Sequence, residues 1–380
     1  MYGAKFRKLT SQSNRRGVAI PALLLGAAFV VGGCALSRGE AEEAAASGAG
    51  DLAAVDQAAG RALASKASAT FGTLPTSAPN ADNPGTPAKI DLGRMLYYEK
   101  RLSKNHDVSC NSCHLLDAYG VDAEPTSPGH RGQRGGRNSP TVYNAALHVA
   151  QFWDGRSPDV EAQAKGPVLN PIEMAAPSEA HVVSLLASMP GYVDAFAAAF
   201  PEDDTSLSYD NMARAIGAFE RNLITPSRFD AFMAGDTAAL DAKEQRGLAT
   251  FMATGCTTCH TGATLGGLLY RKIGFIFPYE TEDKGREDVT GNIADRHVFK
   301  VPSLRNVVET GPYFHDGSIT DVAEAVRIMG YHQLGVTLDE GQVSDLVAFL
   351  GSLSGAVDAA YIAEPELPAS TVETPAPDPS

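Results

Sequence analysis

The chain has 380 residues, 44% of them hydrophobic and 7% aromatic, enough for two cores of ordinary size once a leader and a linker are set aside. Its formal net charge is −14, and without the five cations of the leader it becomes −19. Such a surface keeps a protein soluble, steers basic partners towards it, and excludes nucleic acid and anionic lipid headgroups as partners.

Residues 1–33 read as a lipoprotein-type signal peptide. Lys5, Arg7, Lys8, Arg15 and Arg16 precede an apolar run from Gly17 to Val31, interrupted by Pro21 and short for a membrane span. The run ends in Val31-Gly32-Gly33-Cys34, small residues before a cysteine that would carry a lipid. The expected location is the periplasmic side of a bacterial membrane, anchored through Cys34, or soluble there if that cysteine is not used. Residues 34–86, rich in Ala, Ser, Gly and Pro, predict a flexible linker with one Ala-rich helix around Asp51 to Ala67.

Beyond the linker the pattern is helical. Leu92, Met95 and Leu96 share one helical face, and Met212, Ile216, Phe219 and Leu223 predict a helix over Tyr209 to Ile224 that stops before Pro226. Gly247, Leu248 and Phe251 repeat the first pattern, and Val343, Leu346, Val347, Leu350 and Leu353 make a last helix closed by Gly355. Alternating β patterns are scarce, and Thr264 to Tyr279 reads as loop with a short hairpin. The proline-rich residues 364–380 predict an extended or disordered tail. The fold class is mainly α, with long loops and little β.

Four of the five cysteines lie in two short runs, Cys110-Asn111-Ser112-Cys113-His114 and Cys256-Thr257-Thr258-Cys259-His260. Cys-x-x-Cys-His is the attachment signature of c-type haem: two thiols on one turn reach the porphyrin vinyl groups, and the next imidazole lies under the iron. A disulfide or a zinc knuckle would not ask for histidine at the fifth place twice. The runs head a repeat, because Phe152-Trp153-Asp154-Gly155 after the first matches Phe314-His315-Asp316-Gly317 after the second. Asn138-Ser139-Pro140-Thr141 echoes Val301-Pro302-Ser303-Leu304 more weakly. Two cytochrome c-like haem domains in tandem follow, over 87–224 and 225–363.

The halves differ in what could face the iron from the other side. The second offers Met329, a thioether that raises a haem potential if it binds and a core residue if it does not. The first offers His130 within the four-glycine loop Pro128 to Gly136, with His106 and His148 as rival ligands, and Gln163, Asn170 and Glu173 nearby. A glycine-rich loop rearranges at low cost, so His130 could bind and leave the iron.

From Ile90 to Gly355 the chain resembles the bacterial di-haem cytochrome c peroxidases, in the family's order of motifs. These include Gly129-His130, Arg137-Asn138-Ser139-Pro140, Gln151-Phe152-Trp153-Asp154-Gly155-Arg156, Gln163-Ala164-Lys165-Gly166-Pro167 and Asn170-Pro171-Ile172-Glu173-Met174. Further on come Ala218-Phe219-Glu220-Arg221, Val301-Pro302-Ser303-Leu304-Arg305-Asn306, Pro312-Tyr313-Phe314-His315-Asp316-Gly317 and Ile328-Met329-Gly330. The resemblance implies two covalent haems c. Cys110, Cys113 and His114 would hold a low-potential peroxidatic haem with His130 as removable ligand, and Cys256, Cys259, His260 and Met329 a high-potential electron-entry haem. Gln163 and Glu173 would line the peroxide pocket, Trp153 would bridge the haems, and Asn138 with the carbonyls of Thr310 and Pro312 would bind one calcium ion. Hydrogen peroxide is the implied substrate and a small cytochrome c or cupredoxin the implied donor, with a homodimer compatible. The rivals are a related quinone-cofactor-maturing oxygenase, in which tyrosine replaces the distal methionine, and a non-enzymatic di-haem electron carrier or peroxide sensor.

Overall fold

The computed structural model describes residues 57–380; the leader, Cys34 and the start of the linker lie outside them. Their helices are α1 (57–71), α2 (Pro87–Tyr98), α3 (Cys110–Cys113), α4 (Val160–Leu169), α5 (Glu179–Ala187) and α6 (Pro190–Ala199). They continue with α7 (Tyr209–Glu220), α8 (Arg228–Met233), α9 (Ala242–Ala253), α10 (Glu287–Thr290), α11 (Val322–Leu334) and α12 (Glu340–Gly351). One antiparallel pair, β1 (Tyr270–Lys272) with β2 (Val298–Lys300), is the whole sheet among the described residues. The expected local hairpin within Thr264 to Tyr279 is thus replaced by a long-range pairing.

Each half is built on one helix crossing, made twice. Helix α2 starts because Thr86 Oγ1 accepts from the Lys89 N–H and Pro87 brings a helical φ. It meets α7 so closely that a Cβ on Gly93 would lie 2.6 Å from the Ala215 carbonyl carbon and 2.9 Å from Phe219 Cβ. Helices α9 and α12, each opened by a capping box, cross in the same manner: a Cβ on Gly247 would lie 2.6 Å from the Asp345 carbonyl carbon and 2.8 Å from Phe349 Cβ. Leu92, Leu96, Ile216 and Phe219 are buried at the first crossing, and Leu248, Phe251, Leu346 and Phe349 at the second. Only glycine lets two backbones approach this far.

Two distinct hydrophobic cores result, and the chain ends are exchanged between them. Ala64, Ala67 and Phe71 of α1 pack in the second core, where Phe71 meets Phe229 edge-on at 5.5 Å. The Ala-rich helix expected around Asp51 to Ala67 is thus found over 57–71, and the expected flexibility is corrected there, because three small or aromatic side chains at helical spacing have a core to enter. Past α12, Ile362 belongs to the first core, and Tyr361 stacks on Phe219 at 5.1 Å while donating its hydroxyl to the Phe219 carbonyl. The tail beyond it is irregular and laid on the first half, the extended rather than the disordered state of the two expected for it. Arg101 donates to the Pro368 carbonyl and Ser370 Oγ, Thr371 Oγ1 donates to the Ser188 carbonyl, and the Asp378 N–H donates to the Lys104 carbonyl.

Candidate active site

The two histidines that follow the cysteine pairs are held alike. His114 Nδ1 lies 3.3 Å from the Gly120 carbonyl, and His260 Nδ1 lies 3.0 Å from the Leu265 carbonyl. The main chains of Pro140 and Pro302 also reach these rings, so the weak echo between 138–141 and 301–304 has a structural meaning. With Nδ1 turned to a carbonyl, the neutral ring presents the Nε2 lone pair, the form that binds iron. Burial keeps both rings neutral, and holds the His260 imidazole down at about 4. All four cysteines are unbridged thiols at the required spacing. Side-chain chemistry and position thus fit two c-type haems.

In the first half the loop and the carboxylate are joined. The His130 N–H donates to the Glu173 carbonyl at 2.6 Å, and a Cβ on Gly129 would stand 2.7 Å from Glu173 Cα, so the loop can lie on Glu173 only through glycine. Gly129 N–H donates to the Gln133 carbonyl, and Arg131 and Gly132 both take positive φ. The His130 ring is buried, with Nε2 3.2 Å from the main-chain oxygen of Ser380 and Nδ1 unpartnered. Glu173 Oε1 accepts from Asn170 Nδ2 at 2.9 Å. Burial raises the Glu173 pKa, opposed by the Arg156 charge and by Asn170. Gln163 sits on α4, whose C-terminal turn carries the Glu173 loop through Met174 N–H to the Pro167 carbonyl and Ala176 N–H to the Val168 carbonyl.

Neither rival histidine shares this loop. His106 lies among Arg101, Glu99 and His181, and His148 lies against Gly267 of the second half. Arg156 went unassigned in the sequence although it closes the Gln151–Arg156 motif. It is held on Asp154 at 3.0 Å and lies over the Phe152 ring at 3.4 Å, from where its charge reaches Glu173.

Trp153 stands where the halves meet. Its Nε1–H donates to the Asn138 carbonyl at 2.9 Å, and its own carbonyl accepts from the Lys300 N–H at 2.7 Å. Arg137 pairs with Asp154 of its own half and with Asp283 of the other, and Arg286 donates to the Asp154 carbonyl. Asn138 bonds across the junction through its N–H to the His315 carbonyl, and within its own half through Nδ2 to the Glu124 carbonyl. In the second half Met329 is partly buried on α11. Tyr331 lies two residues further, about 200° around the helix axis; it is 47% exposed and stacks on Phe277 at 4.7 Å.

The architecture and paired sites define a di-haem protein, and comparison with known proteins gives the class: the chain belongs to the di-haem cytochrome c peroxidase family. A family model described as di-haem cytochrome c peroxidase matches residues 87–238. The cytochrome c551 peroxidase of Pseudomonas aeruginosa is 45% identical over 323 residues, covering 83% of this chain and 92% of that one. That of Nitrosomonas europaea is 46% identical over 296 residues, covering 76% and 87%. The methylamine utilization protein MauG of Methylorubrum extorquens is more distant, at 32% identity over 307 residues, covering 77% and 86%. Among solved structures, a MauG-like protein associated with microbial copper homeostasis superposes with a TM-score of 0.71 at 30% identity, covering 77% of this chain and 97% of that one.

Proposed function

We infer that this chain is a cytochrome c peroxidase: hydrogen peroxide, two electrons and two protons give two waters. The observation that carries this reading is the main-chain bond between His130 and Glu173, which ties a buried loop histidine to a partly buried carboxyl beside Cys110-x-x-Cys113-His114. Haem attached there supplies the iron at which peroxide is reduced. The amide of Asn170 fixes one Glu173 oxygen, leaving the carboxyl to take a proton from one peroxide oxygen and return it to the other. Gln163 lines the same pocket, and movement of the His130 loop governs access. Cys256, Cys259, His260 and Met329 would hold a second haem that would supply the electron-entry point, and Trp153 would carry electrons across the junction. An exposed Tyr331 beside Met329 speaks against the quinone-maturing alternative. Steady-state consumption of peroxide by a reduced small cytochrome c or cupredoxin tests the reading; a holoprotein without turnover in any redox state is an electron carrier or sensor instead.

We further propose a calcium ion at Asn138, Thr310 and Pro312. In support, Asn138 Oδ1 and the two carbonyls accept no hydrogen bond among the described residues, and neutral oxygens are ligands calcium takes. Chelation should then loosen the junction and slow turnover, with recovery on adding calcium. We also propose export and anchoring through Cys34, on the sequence pattern around it; Cys34→Ser should move the protein from the membrane to the soluble exported fraction.

A further inference from the structure

The junction buries a lysine that has no anion. Lys300, at the end of β2, is 7% exposed, and among the described residues its ammonium has no ion pair and no hydrogen bond. Burial alone acts on it, drawing its pKa down to about 8. An isolated cation in such a place is costly and calls for a counter-charge. Beside it stands His148 from the first half, whose Nε2 is shielded from solvent and unpartnered and whose ring feels the Lys300 charge. A Cβ on Gly267 would fall 2.7 Å from that ring's Cγ, so glycine makes the room for it.

The position of the pair is specific. The Gly267 N–H donates to the Val301 carbonyl at 2.7 Å, joining the segment that touches His148 to the segment that carries Lys300. Two residues before Gly267 is Leu265, and two after Lys300 is Pro302, the residues whose main chains hold the His260 ring. A cation and a hydrogen-bonding imidazole therefore stand one step from the histidine of the second haem and beside Trp153. A c-type haem keeps two propionate carboxylates after its vinyl groups are spent on the cysteines, and these are the anions this family brings inside the fold.

We propose that Lys300 and His148 hold the propionate edge of the second haem, and that the Lys300 charge raises that haem's potential. Both are positioning residues, and the inference rests on haem attachment at Cys256, Cys259 and His260. A positive charge beside the carboxylates favours ferrous iron by Coulomb attraction.

The test is a spectroelectrochemical titration of the di-haem holoprotein, reading each haem separately. Lys300→Gln should lower the ferrous-to-ferric ratio of the second haem at fixed poise by about tenfold, or about 59 mV for one electron. The first haem should move much less, and Lys300→Arg should stay near wild type. An unmoved second haem in Lys300→Gln, or an equal drop in Lys300→Arg, overturns the proposal while leaving the peroxidase reading untouched. If Lys300→Gln fails to mature, His148→Phe must lower the same potential in a smaller step; a wild-type potential in that variant also overturns it.

Discussion

Asn144 and Asn306 donate their side-chain amides to a single hydroxyl, Thr225 Oγ1, at 2.8 and 2.9 Å. Both asparagines adopt a φ near +60°, and their N–H groups reach matching carbonyls, Leu223 for one and Leu353 for the other. Their Oδ1 atoms accept from Thr225 N–H and Gly355 N–H respectively. The two copies of the repeat thus meet at one fully buried threonine.

Replacing that threonine should be felt by both halves. Thr225→Val leaves two buried amides without their acceptor and should destabilise by about 2 kcal/mol or more. Thr225→Ser should stay close to wild type. Guanidinium unfolding followed at both haems checks this, and a wild-type midpoint for the valine variant would remove Thr225 as the meeting point.

Glu220 should make stability fall with pH. Burial, reinforced by Glu161, raises its carboxyl to about 8, above its unfolded value. The folded state therefore binds the extra proton: its contribution is complete below about pH 4.5 and is lost as pH rises to about 8. Glu220→Gln should flatten the change between pH 5 and pH 8 and be the more stable form at pH 8. Urea midpoints of both proteins at the two pH values decide it.

Glu173→Gln should keep both haem spectra and reduce turnover by about 10²–10⁴-fold, the usual effect of removing a positioned acid–base group. Stopped-flow peroxide reduction is the measurement. Rates equal to wild type would assign the proton transfer to water or to another side chain.

His130→Gly should give a first haem that is high-spin or water-bound in the fully oxidised protein and reacts with peroxide without prior reduction. Electron paramagnetic resonance of the variant beside wild type reads this directly. A wild type that already shows a high-spin first haem and full activity would mean that His130 is no gate.

Met329→His should lower the second haem's potential substantially, since imidazole favours ferric iron relative to thioether. Tyr331→Phe should leave that potential unchanged, because Tyr331 faces outward onto Phe277. If the tyrosine variant moved the potential and the methionine variant did not, the ligand assignment would pass from Met329 to Tyr331.

Legibility in the sequence followed the range of each interaction. The haem-attachment runs were readable because their chemistry is complete within five residues. The duplication showed in the repeated tetrapeptide, and it extends to geometry, since Phe152 and Phe314 share a φ near +67°. Helix α1 was legible as an Ala-rich helix but its packing was not, because Ala64 and Ala67 contribute little to an apolar stripe that only Phe71 makes obvious. The tail gave no signal because Arg101, Ser188 and Lys104 hold it through scattered polar groups, main-chain and side-chain, which form no apolar periodicity in its own residues. Lys300 and His148 were hidden for a related reason: their meaning lies in a juxtaposition between halves.

The exchange of chain ends between the cores has a consequence for biogenesis. Helix α1 is made early in synthesis, yet the residues it packs against, from Phe229 to Leu353, are made late. The first half likewise waits for Tyr361 and Ile362 before its core is closed. Neither half closes its core as a contiguous segment, because each takes side chains from the far end of the chain. Assembly is thereby delayed until nearly the whole chain has been made, and contacts of such long sequence separation make its last step slow.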